Sequence, residues 1–156
     1  MLEDILLNYK DFVITDFLDI RFQMAFKKYF KELGIEVKDW DGLFNEINED
    51  KNTKAIVRMK NDDVVGFIMY QAIVFESWFF EEKCGFVREF WISNDLRNLG
   101  HGSDLINQVE SYFKNQEIYR LVLTTHTAEE FYFKHGYKLL KSCKAKNGDD
   151  VFVKII

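Results

Sequence analysis

Proline is absent from this 156-residue chain, so its breaks must be read from clusters of Gly, Asn and Asp. Cysteine is scarce: Cys84 and Cys143 are too few for a disulfide framework and form no CxxC pair. They read as reduced thiols of a cytoplasmic protein, small hydrophobes buried in a core. No uninterrupted apolar run reaches the length of a membrane span, so no membrane partner is expected. The opening MLEDILLNYKDF has acids at Glu3 and Asp4 and no basic start, and does not read as a signal peptide. Basic residues are scattered, with one short cluster from Lys138 to Lys146; a nucleic-acid binder would show a basic stripe. His101, His126 and His135 have no metal-ligand spacing such as HExxH, so no metal is expected. Low-complexity linkers and internal repeats are missing too.

What is present is apolar and aromatic. Hydrophobic residues make up 47% and aromatics 17%, with 16 Phe, which excludes disorder. The length argues for one domain, residues 1–156, able to bury a core without staples. The net charge of −5 biases it toward a cationic or neutral substrate, at long range only.

Asp11 to Thr15 reads as a short strand. From Asp16, apolar residues at Leu18, Phe22, Ala25, Phe26, Tyr29 and Leu33 have helical spacing, and Gly34 follows as a stop. Trp40, Leu43, Phe44 and Ile47 mark a second short helix. Lys54–Met59 and Val64–Phe75 form a hairpin around KNDD. Glu76–Cys84 reads as irregular, Gly85–Ser93 as a strand. Helical spacing returns at Leu105, Ile106, Val109, Tyr112 and Phe113. A strand at Tyr119–Thr125, a short helix at Thr127–Tyr137 ended by Gly136, and two strands around KNGDD complete the chain. The order β, α, α, β, β, β, α, β, α, β, β combines an antiparallel meander with one right-handed β–α–β crossover, an α/β arrangement on one mixed sheet.

Between the third and fourth of these helix and strand blocks lies RNLGHGS, with Gly100 and Gly102 two residues apart. A loop that leaves a strand and opens a helix presents unpaired backbone N–H groups at the positive end of the helix dipole, which suits an anion. Glycine lets a phosphate reach the main chain, and Arg97 adds a cation with several donors. A P-loop would need Gly-Lys-Ser/Thr, and a dinucleotide fingerprint would need G-x-G-x-x-G after the first strand of a parallel unit; neither occurs. An ordinary glycine turn before a helix is the plainer reading.

The strand Val87–Ile92, the loop Ser93–Leu96, the cradle Arg97-x-x-Gly100-x-Gly102 and a helix from near Ser103 together resemble the acetyl-CoA-binding motif of the GNAT superfamily of N-acetyltransferases. Downstream, Ala128-x-x-Phe131-Tyr132-x-x-x-Gly136-Tyr137 resembles a second signature of that superfamily. The resemblance is specific over Gly85–Tyr137 and topological elsewhere. It departs at Thr125, where many relatives carry Asn. It implies a mixed, mostly antiparallel twisted sheet of about seven strands flanked by about four helices.

The resemblance also implies site residues. Arg97, Asn98, Leu99, Gly100, His101, Gly102 and Ser103 would hold the pyrophosphate of acetyl-CoA, His101 through its backbone N–H and Ser103 as helix cap or phosphate donor. Backbone N–H groups at Trp91 and Ile92 would stabilise the oxyanion. Tyr132 would protonate the departing thiolate, or else packs one helix face. Glu89, on one strand face with Val87 and Trp91, would act as base, through water or directly, or bind a cationic amine; a surface glutamate is the plain alternative. Arg88 occupies the first acidic position of the family run. Glu76, Trp78 and Phe79 would border the acceptor, or pack on the core or a second subunit, an ambiguity Trp40 shares. His126 is a reserve base.

Direct transfer of acetyl from acetyl-CoA to a small-molecule or peptide amine is therefore the expected activity, without a metal. A non-catalytic acyl-CoA-binding or sensing module is the alternative, and a plain interaction domain a third. Relatives of this kind are often dimers, so a homodimer is expected.

Overall fold

A computed structural model describes residues 8–77 and 80–156. Trp78 and Phe79, with the side chain of Glu76, lie outside the described residues, as do the calls made on them.

β1 is Lys10–Ile14. Helix α1, Ile20–Leu33, starts where the Asp19 carboxylate accepts the Arg21 N–H and stops at Gly34, whose φ of 72° no side chain would favour. Helix α2 is Trp40–Glu49, capped by Asp39, which accepts the Gly42 N–H at 2.9 Å. β2 is Thr53–Lys60, β3 Asp63–Ser77 and β4 Phe80–Ile92. A 3-10 turn at Asn94–Leu96 precedes α3, His101–Asn115. β5 is Arg120–Thr125, α4 Glu129–Lys134, β6 Lys138–Lys144 and β7 Asp150–Ile155. The seven strands lie in the order β1-β2-β3-β4-β5-β7-β6. The described pairings β1–β2, β5–β7 and β6–β7 are antiparallel, and β4–β5 is parallel across the α3 crossover. This is the mixed seven-stranded sheet with four helices that the sequence implied.

By contacts the chain forms two compact units, Met1–Met69 with Glu89–Leu105, and Tyr70–Arg88 with Ile106–Ile156. In the first, α1 and α2 lay Phe22, Ala25, Phe26, Phe44 and Ile47 on Ala55, Val57 and Phe67 of the sheet. The rings interlock edge to face: Phe22 meets Phe17 at 4.7 Å and Phe67 at 6.0 Å between centroids. Trp40 stacks on Phe44 and packs against this core, which favours the core reading of that residue. In the second unit, Phe113, Leu121, Leu123, Tyr132, Tyr137 and Phe152 are buried. Gly85 admits α3 there, because a Cβ would come within 2.6 Å of the Phe113 ring.

Several expectations are corrected. Glu76–Cys84 is not irregular as a stretch: β3 runs on to Ser77 and β4 begins at Phe80. Its acids mimic a loop in composition, yet the strand accommodates them: Glu81 is exposed, and its neighbour Glu82, on the other face, pairs with Arg120 at 2.6 Å. Helix α3 begins at His101, two residues before Ser103, which lies inside its first turn rather than capping it. Leu18 and Leu33, read as part of the apolar seam, are exposed, and so is Cys143; only Cys84 is a buried cysteine.

Candidate functional site

The site is built from the end of β4 outward. Alternation turns Val87, Glu89 and Trp91 to one face, and Val87 and Trp91 are buried there. Glu89, half-buried, accepts a hydrogen bond from the Tyr29 hydroxyl of α1 at 2.7 Å. One turn further along α1, Glu32 Oε2 accepts the Trp91 indole N–H at 2.5 Å. Spacing by three on the helix thus meets spacing by two on the strand.

Gly66 of β3 stands opposite Ile92: a Cβ would lie 2.7 Å from Ile92 Cδ1 and 3.0 Å from the Trp91 carbonyl oxygen. The Ser93 N–H donates to Val65 O at 2.8 Å. Backbone alternation therefore turns the amide and carbonyl of Trp91 to β3 and those of Ile92 to the other edge. The two amides therefore face opposite edges of β4, and Ile92 is the one facing away from β3.

The loop after β4 folds tightly. Ser93 Oγ donates to Asp95 at 2.6 Å, and the Leu96 N–H returns to Ser93 O at 2.9 Å. Arg97 folds back: Nε donates to Ile92 O at 3.0 Å, one terminal nitrogen to Asn94 Oδ1 at 3.2 Å, the other to Glu32 at 2.6 Å. Asn98 and Gly100 then take φ values of 64° and 94°. Asn tolerates this region and Gly suits it. The Asp104 N–H bonds to Gly100 O at 3.1 Å, so Gly100 is the N-cap. It has no side chain to occupy the N–H groups of the first turn, which have no carbonyl to reach within the helix. That start fits a pyrophosphate: a glycine cap, positive φ on the approach and the dipole of a 15-residue helix behind it.

Below this start lies a cluster the sequence reading missed. Arg58 of β2 is 3% exposed and donates to both oxygens of Asp11 at 2.7 Å, to Asp104, and to His101 Nδ1 at 3.0 Å. Because Arg58 must donate, Nδ1 accepts, and the His101 proton sits on Nε2. Among the described residues Nε2 is buried without a partner, and Tyr9 stacks edge-on at 4.4 Å. Burial, then the Arg58 charge, pushes the His101 pKa below its ordinary value. The imidazole, not only the backbone N–H, is thus engaged. The signal was Arg58 inside the otherwise apolar run AIVRM; a buried strand arginine demands carboxylates.

In the second unit, β4 pairs with β5 at Gly85–Leu121, Phe86–Val122 and Val87–Leu123. Thr125 Oγ1, at the family's Asn position, accepts the N–H groups of Thr127 at 3.3 Å and Ala128 at 3.1 Å, and so anchors the turn into α4. Tyr132 of α4 is 6% exposed, and burial raises its phenol pKa. His126 is exposed beside Asp149 at 3.2 Å. Among the described residues no group of three or more His, Cys, Asp or Glu is placed to hold a metal, and no helix is long and apolar enough to cross a membrane.

The Acetyltransferase (GNAT) family matches residues 14–137, and the chain belongs to that family. No curated protein matches by sequence. Solved structures share the fold. A predicted acetyltransferase of Clostridium acetobutylicum with acetyl-CoA has a TM-score of 0.73 at 14% identity, covering 88% of this chain and 94% of that one. The PaiA N-acetyltransferase of Thermoplasma acidophilum, in complex with coenzyme A, scores 0.62 at 15% identity over 94% and 99%. An aminoglycoside acetyltransferase from an uncultured soil metagenomic sample, in complex with sisomicin, scores 0.62 at 15% identity over 85% and 87%.

Proposed function

We propose that the protein transfers an acetyl group from acetyl-CoA to a primary amine of a small molecule or peptide, by direct attack with both substrates bound. The observation that carries this reading is the start of α3: a glycine N-cap at φ 94°, a residue that itself brings no side chain to the helix start. Two of the structural relatives carry acetyl-CoA or coenzyme A, which supports the same ligand.

Acetyl-CoA, when bound, supplies the acyl group in activated thioester form. Gly100, His101, Gly102 and Ser103 hold its pyrophosphate through backbone N–H groups. Ile92 directs its N–H away from β3, where an oxyanion can be met; one fixed donor contributes about 3–4 kcal/mol. Glu89 accepts the amine proton, or orients the ammonium before it is lost, with Tyr29 fixing one carboxylate oxygen. Tyr132 keeps its proton at physiological pH as any phenol does, and burial raises its pKa further. A phenol so raised is a poor partner for full transfer to a thiolate of pKa about 8.5, so it stabilises the sulfur by donating a hydrogen bond.

Thermal unfolding with acetyl-CoA tests binding. At ligand near 100 times Kd, linkage adds about 2.7 kcal/mol to stability and the melting temperature rises. An unchanged melting temperature at millimolar acetyl-CoA contradicts the proposal.

A further inference from the structure

We infer that Glu32 is a positioning residue for the acetyl-CoA loop, and that Arg97 braces the end of β4 instead of binding the pyrophosphate. The inference rests on the pyrophosphate reading of the α3 start. It follows from where the Arg97 guanidinium is placed. All three of its nitrogens have acceptors: Ile92 O at 3.0 Å, Asn94 Oδ1 at 3.2 Å and Glu32 Oε2 at 2.6 Å. The Ile92 and Asn94 bonds close the chain on itself across the 3-10 turn. The Glu32 bond ties that closed turn to α1.

Glu32 is the hub. Its Oε2 also accepts the Trp91 indole N–H at 2.5 Å, so one carboxylate oxygen fixes both the last buried side chain of β4 and the first residue of the cradle. The direction in which the chain leaves Arg97 decides where Asn98 and Gly100 enter their positive-φ conformations, and hence where the α3 N–H groups point. For Arg97 to reach a phosphate instead, it would have to abandon a carboxylate, a carbonyl and an amide together. Glu32 also cancels the Arg97 charge locally, which leaves the helix start as the source of attraction for the anion. Glu32 stands outside the loop motif in sequence, on the solvent side of an apolar helix seam, and nothing in that motif points to it.

The sign of electrostatics makes a sharp test. Removing a carboxylate near an anion site should tighten anion binding if charge alone matters, or free Arg97 to bind phosphate. If Glu32 positions the loop, its loss weakens binding. Calorimetric titration with coenzyme A is expected to show Glu32→Ala about tenfold weaker than the unsubstituted protein, the loss of a charged hydrogen bond. Glu32→Gln, which keeps an acceptor oxygen, recovers most of that affinity. Arg97→Ala adds little in the Glu32→Ala background, because both changes break one brace. Tighter or unchanged binding by Glu32→Ala, or a full additional loss from Arg97→Ala, overturns the inference. A ligand-free readout separates this failure from failure of the proposed function. In amide nitrogen–proton NMR spectra, Glu32→Ala should shift the Gly100, His101 and Gly102 signals and Glu32→Gln should restore them. Unmoved signals refute the brace, whether or not coenzyme A binds; absence of coenzyme A binding by the unsubstituted protein refutes the proposed function instead.

Discussion

The Tyr29 hydroxyl donates to Glu89 Oε2 across 2.7 Å, joining α1 to the end of β4. The two residues are 60 positions apart in sequence, and the bond fixes which way the carboxylate faces. Loss of a hydrogen bond to a charged group is worth about 1.5–3 kcal/mol, or roughly ten- to a hundredfold in rate if fully expressed. Tyr29→Phe should therefore lower kcat about tenfold while leaving KM for acetyl-CoA near its original value, as read from initial rates. An unchanged kcat would remove Glu89 orientation from the mechanism.

Gly100→Ala should raise KM for acetyl-CoA with a smaller change in kcat. Alanine at a φ of 94° is strained, by about 1–3 kcal/mol. Relief of that strain turns the first-turn N–H groups away from the pyrophosphate. Substrate titrations check the split; a kcat effect alone would contradict it.

The Arg58 cluster separates breaking a buried pair from replacing it. Asp11→Ala leaves the 3%-exposed Arg58 under-paired and should cost up to about 3–5 kcal/mol in urea unfolding. Adding Arg58→Met should restore much of this, since an apolar side chain of similar length needs no partner. A double variant no more stable than Asp11→Ala would show that the cluster acts otherwise.

His101 gives the fold a defined acid sensitivity. Its pKa in the folded chain lies below the ordinary 6.5, first through burial, then through Arg58. The unfolded chain then binds the extra proton more readily, so this group's stabilisation is complete above 6.5 and declines as pH falls from there toward the folded value. Unfolding free energies from pH 7.5 down to 5.5 should fall, and fall less steeply in His101→Phe. Equal slopes would contradict the assignment.

Much of the fold was legible because its signals are local. Helical spacing from Phe22 to Tyr29 and the stop at Gly34 define α1, and Asn61, with a φ of 55°, makes the β2–β3 turn that KNDD announced. The cradle was legible as two closely spaced glycines after a strand, although φ singles out Gly100 and Asn98 and not Gly102. What stayed hidden depends on distant pairing. Tyr29 looked like one more core position on its helix, and Glu32 drew no reading at all. Only the packing of α1 against β4 gives them Glu89, Trp91 and Arg97 as partners. His101 read as a backbone donor because the buried Arg58 beneath it comes from 43 residues away. The strand character of Phe80–Cys84 was masked by its acids.

The central claim is acetyl transfer to an amine, and the most direct measurement is thiol release from acetyl-CoA across polyamines, aminoglycosides, amino acids and peptides. The account predicts amine-dependent release by the unsubstituted protein with at least one of these acceptors. It predicts a strong loss of that rate in Glu89→Gln under conditions where acetyl-CoA still raises the melting temperature. Acetyl-CoA binding without amine-dependent thiol release, or equal rates in Glu89→Gln, would contradict it.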